Sequence, residues 1–330
     1  MHQTLGTVEL KSGEAMQIVR VTAPDDEWKD RVLPLLGHKG QPWQWQMKIA
    51  FEEELEGLQQ HFYVGALDSG EIAGNIMTVE GMEPPIGILG HVFTPPEHRR
   101  KGICSHLMEA VTEDFRGRSG RALFLHTDYD SPPYHIYASW GFEGYRETGT
   151  MAWLLEEDFW SKQFAARPVS VRETRWEDWP GLEALAEVDE GWHVRSLYLD
   201  LHGFGGFESA YLRVRRGLED GLVRDFRVLA AEDGAVMGYA LLGRWGAFPG
   251  DPQVLDIHLH PNFEDHAFEL AGAVDLPDNE SERVIAMADS ASSGKSEALE
   301  AVGLVPEARL AEMVVDADGS ARDLLIFSLG

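Results

Sequence analysis

Hydrophobic positions in this 330-residue chain fall into strand-like and helix-like runs whose order is traversed twice. His61–Leu67, Glu71–Val79 and Ile86–Thr94 carry the alternating or continuous apolar pattern of strands, with the turn residues Asp68-Ser69-Gly70 between the first two. Gly102–Gly117 places Ile103, Leu107, Ala110 and Val111 on one helical face. A strand at Ala122–Thr127, a helix near Tyr134–Trp140 and a strand at Glu143–Trp153 follow. In the second half, Phe226–Ala231, Val236–Gly243 and Val254–His260 predict three strands, with Glu232-Asp233-Gly234 as the turn. Asn262–Ala273 then predicts a helix, Val284–Ala288 a strand, Ser292–Val302 a helix, and Val305–Val315 and Leu324–Leu329 two last strands.

Local echoes strengthen the impression of an internal repeat. Val19-Arg20-Val21-Thr22 followed by Asp26-Glu27-Trp28 is matched by Val171-Arg172-Glu173-Thr174 followed by Glu177-Asp178-Trp179. Each reads as a short strand and an acidic helix start, the acids suiting the positive end of the helix dipole. Tyr137 to Gly141-Phe142 is echoed by Leu299 to Gly303-Leu304, each a helix with a glycine stop and an apolar strand start. The offset of about 150–165 residues suits two domains. The break at Phe164–Pro168 predicts domains 1–164 and 165–330.

Composition narrows the function classes. The chain is 44% hydrophobic, enough for packed cores, and no apolar run approaches the roughly 20 residues of a membrane span. The N-terminal MHQTLGTVEL lacks the pattern of a signal peptide, so a cytoplasmic location is expected. One cysteine, Cys104, excludes an intrachain disulfide framework and a cysteine zinc site. Fifty-six acidic against 28 basic residues give a net charge of -28. That surface repels nucleic acid and anionic lipid and favours a cationic small molecule or basic peptide.

Against that acidity the basic cluster Arg99-Arg100-Lys101 stands out, in the run Val92-Phe93-Thr94-Pro95-Pro96-Glu97-His98-Arg99-Arg100-Lys101-Gly102-Ile103-Cys104. Strand, basic glycine-containing loop and helix start form a phosphate-binding arrangement, because the first helix amides lack internal partners and the dipole adds positive potential. The segment resembles the GNAT superfamily of acetyl-CoA-dependent N-acetyltransferases, whose signature Q/R-x-x-G-x-G/A follows a strand and a proline. Here Arg99-x-x-Gly102-x-Cys104 follows Val92 and Pro95, with Cys104 in place of the last Gly or Ala. The later Tyr137 to Gly141-Phe142 block adds to the match, which covers about residues 15–155 and, more weakly, 168–330.

The resemblance implies an α/β (α+β) protein of two tandem GNAT-like domains, each a mixed, mostly antiparallel sheet flanked by helices. It implies acetyl-CoA as donor and an amine as acceptor, a small molecule or peptide. Arg99, Arg100, Lys101, Gly102, Ile103, Cys104 and Ser105 would hold the pyrophosphate, and Val92, Phe93 and Thr94 would pair with the pantetheine arm. Asp130 stands where the family often has an Asn touching the cofactor, and Tyr137 where it has a Tyr that protonates the leaving thiolate. His91 is the first candidate for the base, with Glu80, His126 and Asp128 as rivals. Gln41–Gln60, with Trp43 and Trp45, is the candidate acceptor region.

In the second half the corresponding loop reads His260-Pro261-Asn262-Phe263-Glu264-Asp265-His266, without glycine or basic cluster, and Leu299 replaces the tyrosine. A degenerate half without a donor site is expected there. His258, His260 and His266 lack a completing carboxylate spacing, so no metal is expected. A non-catalytic protein that senses acyl-CoA or a metabolite is the alternative, and homo-oligomerisation is left open.

Overall fold

A computed structural model describes residues 1–145, 147–188, 190–192, 194, 207–244, 252–277, 282–315 and 319–329. They divide into two compact units: Met1–Phe159 with Arg175–Pro180, and Trp160–Thr174 with Gly181–Gly330. The first division falls a few residues before the expected boundary at 164.

The first unit contains β1 (His2–Glu9), β2 (Ala15–Ala23), α1 (Asp26–Leu35), α2 (Trp43–Glu52), β3 (Gln59–Leu67), β4 (Ile72–Gly81), β5 (Ile86–Phe93), α3 (Ile103–Gly117), β6 (Ala122–His126), α4 (Pro132–Ser139), β7 (Glu143–Gly144) and β8 (Thr150–Leu154). Its sheet runs in the order β1-β2-β3-β4-β5-β6-β8-β7, antiparallel throughout except for the parallel pair β5–β6. α1 starts at Asp25, whose carboxylate accepts from the Trp28 amide. α3 buries Ile103, Leu107, Val111 and Phe115, a stripe at helical spacing, each side chain worth about 1.5–3 kcal/mol on burial. The stripe packs over β4 at Gly74, where an added Cβ would lie 2.6 Å from Ile103 Cγ2. Glycine is therefore what allows α3 to approach the sheet.

The second unit adds α5 (Phe159–Gln163), which begins at the division, then β9 (Val169–Glu173), α6 (Trp179–Ala186), α7 (Glu208–Glu219), β10 (Val223–Ala231), β11 (Val236–Arg244), β12 (Gln253–Leu259), α8 (Ala267–Gly272), β13 (Val284–Asp289), α9 (Ser293–Ala301), β14 (Val305–Val315) and β15 (Ala321–Leu329). Its sheet order is β14-β15-β13-β12-β11-β10-β9, with β12–β13 as the parallel pair. Read from β9, this is the order found from β2 to β7 in the first sheet.

Some elements differ from the sequence reading. The single strand expected over Glu143–Trp153 is two, β7 and β8, because Glu147 and Gly149 adopt left-handed backbone (φ 56° and 85°) and turn the chain. The helix expected at Asn262–Ala273 starts as a 3-10 turn over Pro261–His266 and is α-helical only in α8. β1 and α7 were not anticipated. β1 is exposed along most of its length, so it carries no inward apolar alternation to announce it.

Candidate functional site

The loop after β5 runs through a 3-10 turn at Pro96–His98 to an extended Arg99, a left-handed Arg100 (φ 66°) and a left-handed Gly102 (φ 91°). Two left-handed residues either side of Lys101 swing the chain into α3. Gly102 is the N-cap and offers no side chain to the helix start, so the first amides of α3, at Ile103, Cys104 and Ser105, point outward uncapped. The basic cluster does not act as a block. Arg99 Nε donates to the Thr94 carbonyl (3.2 Å), and Arg100 is exposed. Lys101 Nζ is instead held by Glu14 (3.0 Å), with His98 Nδ1 at 3.4 Å. Cys104 packs against the core beneath α3, and burial pushes its thiol up, away from the reactive thiolate. Ser105 is exposed on the first turn.

The strand before the loop is irregular in two ways. β5 and β6 pair over only three residues, Ile86–Ile88 with Ala122–Phe124. From Leu89 onward β5 has no partner on that side, so the two strands part. On the other side, β4 and β5 lose register between Asn75↔Phe93 and Met77↔Gly90. His91 and Val92 stand where β4 has only Ile76, a β-bulge with His91 left-handed at φ 51°. Asn75, buried within β4, donates from Nδ2 to the His91 carbonyl (3.1 Å) and pins the bulge.

His91 is buried, and neither ring nitrogen has a hydrogen-bond partner. Trp43 of α2 meets it edge-on at 4.6 Å between ring centroids, and His38 packs on Phe93 at 4.2 Å. Burial, with Lys39 and His38 as lesser contributors, pushes the imidazole down to about 3. His91 is thus neutral at ordinary pH and a weak proton acceptor. Trp45 packs instead against Trp176, at 6.0 Å.

The rivals fare differently. Glu80 is bonded by Thr78 and by Arg118, and pairs with Gly87 at the other end of β4. Four residues beyond Ile76 at about 3.4 Å each put it roughly 14 Å from the bulge, so it is not at the site. His126, at the end of β6, lies 3.3 Å from Thr150 Oγ1 and is lowered by burial, while Asp128 is exposed. Asp130 is left-handed (φ 57°) and exposed, and its carboxylate lies 3.0 Å from His135 Nε2 on α4. Tyr137 is on α4, capped by Ser131. It is 9% exposed, meets Phe142 edge-on at 6.1 Å, and belongs to the core cluster that includes Leu89 of β5 and Leu125 of β6.

The second unit has the same three-residue pairing at its parallel junction, Gln253–Leu255 with Val284–Ala286. Its β11–β12 register runs from Gly238↔Leu259 to Arg244↔Gln253 without a shift, and no described residue in 252–277 is left-handed. Buried Asp256, the first residue past the pairing, accepts from Tyr239 (2.9 Å) and from Lys295 Nζ (3.2 Å) on α9. Lys295, itself buried, also donates to the Val194 carbonyl (2.8 Å) and lies 5.8 Å from the Trp192 ring centre. The loop before α8 offers Glu264, whose carboxyl is raised by burial and by Asp265. His260 stacks on Phe164 at 4.3 Å and caps the 3-10 turn, a structural use. Among the described residues one cluster, Glu71, Glu97 and His98, brings possible metal-ligating atoms within 4.8 Å of one another; Glu71 and Glu97 are exposed, and His98 is hydrogen-bonded to Glu71.

Residues 25–142 match the model of the acetyltransferase (GNAT) family. The first unit carries a GNAT acetyltransferase domain. Solved structures similar to about half of the chain include the ribosomal-protein-alanine N-acetyltransferase of Brucella melitensis (18% identity, 48% of this chain, 98% of that one, TM-score 0.38). Also similar are a GNAT superfamily phosphinothricin acetyltransferase of Sinorhizobium meliloti, in complex with AcCoA (17%, 49%, 88%, 0.35), and a GNAT-family acetyltransferase of Bacillus anthracis (11%, 50%, 96%, 0.34). No curated protein matches the chain. The GNAT match ends at residue 142 and does not extend into the second unit. Two features of the GNAT domain escaped the sequence reading: Asn75, signalled only by a lone amide in an apolar strand, and the bulge it holds.

Proposed function

We propose that the GNAT domain binds acetyl-CoA where β5 and β6 part and transfers the acetyl group to an amine. The observation that carries this reading is the bulged, one-sided end of β5 running directly into a loop that opens the uncapped amides of α3. The pyrophosphate sits on the backbone from Arg100 to Ser105, with Arg99 and Arg100 adding charge. The pantetheine arm takes the place on Val92–Thr94 that β6 has left, as an added strand.

The thioester then lies at the bulge. The amine nitrogen attacks the acetyl carbon, and the C–N bond forms as charge builds on the carbonyl oxygen. Backbone amides displaced from the ladder by the bulge stabilise that oxyanion. As the C–S bond breaks, the Tyr137 phenol gives its proton to the thiolate, and the proton lost by the amine restores the phenol through solvent. His91, neutral and unpartnered, accepts a hydrogen bond from the attacking amine and fixes its orientation; it need not titrate to do so. Trp43 of the Gln41–Gln60 region forms the wall beside it. On this reading the described residues of the second unit make no donor site: past the β12–β13 pairing stands the buried Asp256–Lys295 pair and no bulge.

The test is release of free thiol from acetyl-CoA across a panel of amines. Amine-dependent release supports transfer. Tight binding with no release for any amine supports the sensor reading. A protein that does not bind acetyl-CoA at all contradicts both.

A further inference from the structure

The loop of the proposed cofactor site has a second neighbour, distant in sequence. The turn between β1 and β2, closed by Leu10 N to Glu14 O (2.8 Å) and Gly13 N to Leu10 O (2.8 Å), is bound to it at two points. The Lys11 amide donates to the Lys101 carbonyl (3.1 Å), and Glu14 takes the Lys101 ammonium (3.0 Å). The same turn brings in the Lys11 side chain. Its Cε lies 3.8 Å from where a Cβ on Gly102 would stand, beside His106 of the first turn of α3. Lys11 is exposed, and its ammonium, one bond further out, meets no hydrogen-bond or ion-pair partner among the described residues. Lys101 and Lys11 have in effect exchanged places: the lysine of the basic cluster is paired with Glu14, and a lysine from the preceding hairpin stands at the helix start without a partner among the described residues.

We propose that Lys11 is a phosphate-binding residue of the acetyl-CoA site, placing its ammonium on the pyrophosphate held by the amides of α3. This rests on the acetyl-CoA reading above. A cation at that point adds to the field of the uncapped helix start, and a charge-assisted contact to a phosphate oxygen is the stronger kind of hydrogen bond. The hairpin also fixes the Lys101 carbonyl between left-handed Arg100 and Gly102, so the residue that contributes the charge also braces the loop backbone.

The test is calorimetric titration of wild type, Lys11→Gln and Lys11→Arg, with Lys162→Gln as control. Lys162 is an exposed residue of α5, outside the proposed site, and carries the same charge. The ligands are acetyl-CoA, its 3′-dephospho form and acetyl-pantetheine. Lys11→Gln is expected to weaken the first two by about tenfold and equally, to leave acetyl-pantetheine unchanged, and to be largely reversed in Lys11→Arg. Equal affinity of wild type and Lys11→Gln overturns the proposal, and so does an equal loss in Lys162→Gln, which would make the effect one of net charge. A loss seen with acetyl-CoA but absent with the dephospho form moves the contact to the 3′-phosphate and overturns the assignment to the pyrophosphate. Failure of wild type to bind acetyl-CoA removes the reading beneath it instead.

Discussion

β5 and β12 occupy the same place in two sheets of the same strand order, and they differ in what they leave open. Both lose their parallel partner after three paired residues. β5 then bulges at a left-handed His91, and its loop turns through Arg100 and Gly102 into an uncapped helix. β12 stays in register, and the first residue past the pairing, Asp256, is tied to Lys295 on α9. Past three paired residues, one strand turns into a bulge and an uncapped helix start, and the other carries a buried ion pair to α9. On the proposed reading, strand order alone does not make a donor site; a bulge and a left-handed turn are needed as well.

The largest effect should come from closing the open side. Gly102→Glu places a carboxylate at the helix start and forces a side chain into φ 91°, so acetyl-CoA binding should fall beyond detection by titration. Gly102→Ala carries the same backbone strain without the charge. If it loses binding as completely as the glutamate, strain and not repulsion of phosphate is the cause.

Loosening the bridged side comes next. Lys295→Met leaves Asp256 buried without its ammonium, and loss of one partner of such a pair costs about 3–5 kcal/mol. Thermal or denaturant unfolding should show a destabilised second transition, while affinity for acetyl-CoA is unchanged. A variant with wild-type stability would mean that the pair does not stabilise the second unit.

The third prediction concerns chemistry within the open side. Tyr137→Phe should lower the maximal rate by about 10²-fold with cofactor affinity little changed, as expected for loss of a general acid. A wild-type rate would remove Tyr137 from the mechanism.

These contrasts were unequally legible in the sequence. The strands and α3 follow from apolar periodicity, because β3 to β5 are buried on both faces and α3 on one stripe. The loop followed from its resemblance to a known signature. The bulge did not, because register is a property of two strands together, and no single run of residues encodes that His91 and Val92 oppose Ile76 alone. Lys11 was missed because about 90 residues separate it from the loop it reaches, a distance over which side-chain chemistry gives no sign of contact. His91 was located at the site, but its protonation depends on burial, which only the fold reveals. Asp130 is a second such case: only the fold reveals its left-handed, exposed position and the 3.0 Å approach of its carboxylate to His135.

The contrast between β5 and β12 reduces to a number, the stoichiometry of acetyl-CoA per chain. Calorimetric titration of the wild-type chain should give one site, lost in Gly102→Glu and untouched when Glu264 and Asp265 are both changed to glutamine. Two sites per chain, or a single site that survives Gly102→Glu and disappears with the Glu264 and Asp265 changes, would contradict the assignment of the donor site to the bulged strand.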